Sequence, residues 1–107
     1  MDAAEFEEIL EDQLTVIGGV LSSKAKEYAA GSDHLHNFKQ AAALQGITPI
    51  EALGGMMAKH TVSIYDMLGS DAEFPLTQWD EKITDHLNYL ILLRALVIEK
   101  LKKGTNA

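Results

Sequence analysis

The stretch TQWDEKITDHLNYLILLRALVIEKLKK, Thr77 to Lys103, decides the fold. Between Leu87 and Ile98 it is apolar on nearly every side, broken only by Asn88 and Arg94. A helix with that pattern has to be buried between neighbours, so it is expected at the centre of an antiparallel helical bundle, with Leu90 to Leu101 as pure core. Thr77 reads as its N-cap, with Asp80 at the third helical position, where the helix dipole favours an acid.

Upstream lies a loop, residues 69–75, acidic at Asp71 and Glu73. Before it, Thr48-Pro49-Ile50-Glu51 places a cap, a proline at the first helical position and a glutamate at the third, which together signal a helix start. The core stripe of that third helix reads Leu53, Met57, His60, Ile64 and Leu68, and Gly54 and Gly55 suggest a close approach by another backbone. A short second helix is expected over about His34 to Leu44, capped by Ser32 or Asp33 and ended by Gly46. Its inward residues would be Leu35, Phe38, Ala41 and Ala42. The first helix, from about Ala3 to Ala30, carries Phe6, Leu10, Leu14, Ile17, Leu21 and Tyr28 at three-to-four spacing. Gly18 and Gly19 inside it predict a kink or very close packing, and Gly31 its stop. The expectation is an all-α bundle of about four helices forming one domain over residues 1–107.

Composition narrows the classes of function. The apolar fraction of 47% is ordinary for a globular chain, and Leu87 to Ile98 is too short to cross a bilayer. The opening Met-Asp-Ala-Ala-Glu-Phe-Glu-Glu is acidic where a signal peptide would be basic and then apolar, which points to a cytoplasmic protein. A formal charge of -7 argues against sequence-independent binding to nucleic acid, where Lys and Arg must replace counterions. With no cysteine, any metal has to sit on carboxylate, amide or imidazole.

Function has to be sought in the polar residues that interrupt the apolar faces. Glu81, Asp85 and Asn88 stack along one side of the last helix, and the same line continues into Leu92 and Leu96. Two carboxylates one turn apart at the mouth of a core need a cation, a proton or a basic side chain between them, and a divalent metal is one such partner. Simple solvation of Glu81 and pairing of Asp85 with a lysine would satisfy the same residues. Lys24 extends the apolar stripe of the first helix and either snorkels past the core or points into a cleft. His60 lies on the apolar stripe of the third helix beside Lys59, either as a satisfied core group or as an acid-base residue. His34, His36 and Asn37 stand near a helix start, where anions are favoured, or serve as capping and surface groups. Glu7, Glu8 and Glu11 read as an acidic solvated face.

In order along the chain, Lys24-Ala25-Lys26-Glu27-Tyr28, His36-Asn37-Phe38, Lys59-His60 and the run Trp79-Asp80-Glu81 to Asp85-His86-Leu87-Asn88-Tyr89 resemble a small phage-type nucleotide-modification-associated domain. That domain is itself similar to the all-α nucleoside triphosphate pyrophosphatases of the MazG kind. The resemblance spans about residues 20 to 98 and ends in the Asp-x-x-Asn-Tyr pattern at Asp85. It implies a homo-oligomeric bundle that binds magnesium through helix carboxylates and cleaves a nucleoside triphosphate to monophosphate and pyrophosphate. Glu81, Asp85 and Glu27 would then hold the metal. Lys24, Lys59, His36, Asn37 and Asn88 would contact the nucleotide, and His60 or Glu27 would orient water.

The chain departs from that pattern in two places. Those enzymes carry Glu-Glu-x-x-Glu on the helix before the last, where this chain has Lys59, His60, Ser63 and Asp66. Their last helix spaces its acids by three, whereas Glu81 and Asp85 are spaced by four. Three outcomes stay open: a site rebuilt from Glu27, Glu81 and Asp85, nucleotide binding without cleavage, or loss of both. The alternative class is a non-enzymatic helical accessory protein that oligomerises, its polar cluster specifying helix register.

Overall fold

In a computed structural model the chain forms four helices: α1 (Ala3–Tyr28), α2 (His36–Gln45), α3 (Pro49–Leu68) and α4 (Leu76–Lys103). The structure describes the backbone of residues 1–28 and 33–104 and the side chains of residues 1–19 and 33–104. The fold is the all-α helical bundle expected from the apolar periodicity. The end of the first helix beyond Tyr28, the stop at Gly31 and the cap at Ser32 lie outside the described residues.

Local chemistry explains most of the helix boundaries. At the start of α3, the Glu51 backbone N–H donates to Thr48 Oγ1 at 3.2 Å and the Thr48 N–H donates to Glu51 Oε1 at 3.2 Å, so two orphan donors are satisfied reciprocally. Gly46 ends α2 in the left-handed region at φ 67°, a conformation that a Cβ would strain. Two starts differ from expectation. Helix α4 is capped by Pro75 rather than Thr77, because the Pro75 carbonyl receives the Gln78 and Trp79 N–H groups and Thr77 already lies within the first turn. Helix α2 starts at His36 rather than His34, because the Asp33 carboxylate accepts from the Leu35 N–H at 3.0 Å and holds the preceding residues in a turn.

Helix α4 packs on α3 and, less extensively, on α1, while α2 packs on α3. Residues 60 and 61 of α3 meet residues 89 and 86 of α4, so the two helices run antiparallel. The core sits where Leu35 and α2 meet the start of α3 and the second half of α4: Leu35, Phe38, Leu53 and Leu96 cluster there, the last two 0% exposed. Met57, Tyr89 and Leu92 pack around them.

Burial is more limited than the sequence suggests. Leu90 to Leu101 is not pure core: Leu96 is buried, but Leu90, Ile91, Val97, Ile98 and Leu101 are exposed. Among the described residues α3 packs extensively on α4 and α1 less so, which covers part of its circumference and leaves its outer side open. On α3, Leu53 is buried, Met57, His60 and Ile64 are half-buried, and Leu68 is exposed while Met67 takes the inner position. On α1, Ile17 is buried whereas Phe6, Leu10 and Leu14 are exposed. Among the described residues nothing from another element approaches Gly18, Gly19, Gly54 or Gly55 closely enough to meet a side chain there, so the close approaches expected at these pairs are not seen, and α1 continues through its pair as helix.

Candidate functional site

The polar residues of α4 line a seam between α1 and α3. Glu81 is exposed, Asp85 half-buried and Asn88 only 5% exposed, so the line descends from solvent into the core. One turn before Asn88, buried Thr84 accepts a hydrogen bond from Gln13 Nε2 of α1 at 3.0 Å. On the other side, Thr61 Oγ1 of α3 lies 2.8 Å from His86 Nε2 and 3.3 Å from the Met57 carbonyl. The one hydroxyl proton of Thr61 serves one of these two contacts. The His60 ring stands against Tyr89, with centroids 4.8 Å apart and planes tilted by 40°.

Asn88 is the chemically exceptional member. Both its Nδ2 and its Oδ1 are buried, and neither has a hydrogen-bond partner among the described residues. An amide stripped of water and left unpaired costs about 1–3 kcal/mol, whereas nearly all buried polar groups find partners. Asn88 therefore offers two donors and an acceptor toward a partner that the described residues do not supply.

The remaining sequence candidates are dispersed. Lys59 is exposed, His36 half-buried and Asn37 exposed at the start of α2. No hydrogen bond or ion pair among the described residues links any of the three to Glu81, Asp85 or Asn88. The side chains of Lys24 and Glu27 lie outside the described residues, although the backbone there is helical. Among the described residues no three of His, Asp and Glu converge as a metal cage. Glu81 and Asp85 remain two hard oxygen donors one helical turn apart, a set that suits magnesium shared with a phosphate rather than enclosed by protein.

A second polar cluster lies outside the residues singled out from sequence. Lys39 Nζ of α2 stands 2.7 Å from Asp33 Oδ2 and 2.7 Å from Glu99 Oε1 of α4, and Lys103 reaches the same Glu99 oxygen at 3.5 Å. The hydrogen bond from Lys39 holds Asp33 below the ordinary carboxylate range, helped by the Leu35 N–H, and it lowers Glu99 as well. Hydrogen bonds to Asp33 and then Glu99 raise Lys39. Only the Glu99 to Lys103 spacing of four was readable in sequence. The Gln13 to Thr84 and Thr61 to His86 pairs were equally hidden, though a glutamine interrupting the α1 stripe between Leu10 and Ile17 was a usable sign.

Comparison with family models, with curated proteins and with solved structures finds no match, so the functional reading rests on these residues and on the resemblance of their order.

Proposed function

We propose that the chain is a nucleotide-binding helical bundle, and that magnesium-dependent cleavage of a nucleoside triphosphate to monophosphate and pyrophosphate is its reaction. The observation that carries this reading is Asn88, a buried amide with no partner among the described residues, one turn from the half-buried carboxylate of Asp85. A nucleobase edge offers the paired donor and acceptor that such an amide lacks. Glu81 and Asp85 would hold a magnesium ion jointly with the phosphates, and the ion would supply charge neutralisation at the leaving oxygens. Lys24 and Lys59 are the cations proposed for phosphate, His36 and Asn37 for further nucleotide contacts, and His60 or Glu27 for orienting water.

Isothermal titration of the chain with nucleoside triphosphates in magnesium tests the reading. Saturable heat with at least one nucleotide, lost in Asp85→Asn and Asn88→Ala while helicity is kept, is the expected result. Absence of heat across the nucleotide panel would end it. The second reading, a helical accessory protein, draws on a different observation: the apolar side chains left exposed on α1 and α4.

A further inference from the structure

The N-terminal three turns of α1 have no cover. Every residue from Met1 to Asp12 is exposed, and Gln13 is the first side chain of the helix to be even partly enclosed. Phe6, Ile9, Leu10 and Leu14 are 47–59% exposed on that arm. A helical stretch this short is marginal in water by itself, and its apolar residues are expected to be buried by something.

The outer side of α4 has the complementary problem. Leu90, Ile91, Val97, Ile98 and Leu101 are all exposed on the side away from Leu92 and Leu96. The excess is visible in the molecule as a whole. The accessible surface is 7579 Å², whereas a folded monomer of 11.7 kDa is expected to show about 5,900 Å². The radius of gyration is 16.1 Å, against about 13 Å for a compact chain of this length. An excess of about 1,700 Å² per copy is what a homodimer of the obligate kind buries.

Charge selects the pairing. Residues 1–23 hold Asp2, Glu5, Glu7, Glu8, Glu11 and Asp12 and no lysine or arginine. The second half of α4 holds Arg94, Lys100, Lys102 and Lys103, and none of the ion pairs among the described residues engages the first three. Two acidic arms side by side would repel, whereas an acidic arm along the basic half of another copy's α4 matches charge as well as apolar surface.

We propose that the chain is a two-fold dimer in which the α1 arm of each copy lies on the exposed face of the partner copy's α4. The exchange is reciprocal, as closed two-fold symmetry requires, and each arm covers one face and has its own apolar stripe covered. It is independent of nucleotide binding, because it uses the side of α4 opposite Asp85.

Sedimentation of the full chain across micromolar concentrations is the first test, with a mass near twice 11.7 kDa expected. Leu10→Glu, at an exposed position, should leave helicity unchanged and give a monomer. The decisive test uses two charge-reversed chains, Glu7→Lys with Glu11→Lys on the arm and Arg94→Glu with Lys102→Glu on α4. Each alone should dimerise at least about tenfold more weakly, and mixing the two should restore a heterodimer, because both contacts then pair opposite charges. A chain that stays monomeric at every concentration overturns the proposal and points to a different protein or a lipid surface as the cover. A dimer indifferent to the α4 reversal overturns it in favour of a seam between arms.

Discussion

The ammonium of Lys39 on α2 stands 2.7 Å from the carboxylate of Glu99 near the end of α4, and 2.7 Å from Asp33 just before α2. One cation thus ties the segment leading into α2 to the far end of the longest helix. Beyond the cluster of Leu35 and Phe38 with Leu96, α2 packs mainly on α3.

The sign of the pH effect follows from this pairing. Asp33 and Glu99 are held below their ordinary range, so their contribution is complete above the unfolded carboxylate values and fades as pH falls through the lowered ones. Lys39 is raised, so its share is complete below the unfolded lysine value and fades as pH rises through the raised one. The stability difference between the native chain and Lys39→Met should therefore be flat near neutrality, about 0.5–1 kcal/mol for partly exposed pairs, and vanish in acid. Thermal melts of both chains from neutral to acidic pH read it. A difference that persists after the carboxylates are protonated would mean that packing of the lysine stem, rather than its charge, is what matters.

Asn88→Leu separates structural from functional use of the buried amide. Replacing an unpartnered amide by an apolar group of similar size should raise stability by about 1–3 kcal/mol in urea unfolding, while nucleotide binding is lost. A loss of stability would instead assign Asn88 a hydrogen-bonding role within the fold.

Thr48→Ala removes the side-chain half of the capping exchange at the start of α3, the Oγ1 that accepts from the Glu51 N–H, and leaves the backbone N–H of residue 48 free to donate to Glu51 Oε1. About 1 kcal/mol of stability should go, and Thr48→Ser should keep most of it. Equal destabilisation by the alanine and serine variants would show that the methyl group, not the hydroxyl, is the contributing part.

Leu53 and Leu96 are fully buried and face one another's cluster, whereas Leu44 is 88% exposed. Truncating either buried leucine to alanine should cost about 2–5 kcal/mol, and Leu44→Ala should be nearly neutral. Chemical denaturation of the three variants orders them, and a costly Leu44→Ala would mean that another surface covers that side chain.

Much of the bundle was readable from residue order, because caps and periodicity act over one or two turns. Thr48, Pro49 and Glu51 specify the start of α3 through bonds between neighbours, and Gly46 ends α2 through a backbone conformation of its own. The four helices and their approximate bounds follow from such local rules. The candidate line Glu81, Asp85, Asn88 was likewise visible, since helical spacing alone puts the three on one side.

What sequence could not decide was which apolar side chains would find a neighbour. Leu90 and Leu96 are the same residue type on one helix, yet Leu90 is exposed and Leu96 is fully buried, because burial depends on the side on which α1 and α3 pack. The same packing buries Thr84 and Asn88 and leaves Phe6 and Leu101 in solvent. It also brings Lys39 to Glu99, residues too distant in sequence for any periodic rule to pair. Sequence by itself determined that the chain is helical and roughly where its helices lie, because hydrogen bonding within a helix is local. Only the tertiary structure decided that Asn88 is buried without a partner among the described residues and that the α1 arm is bare, because the number of neighbours around a helix is a property of the packing.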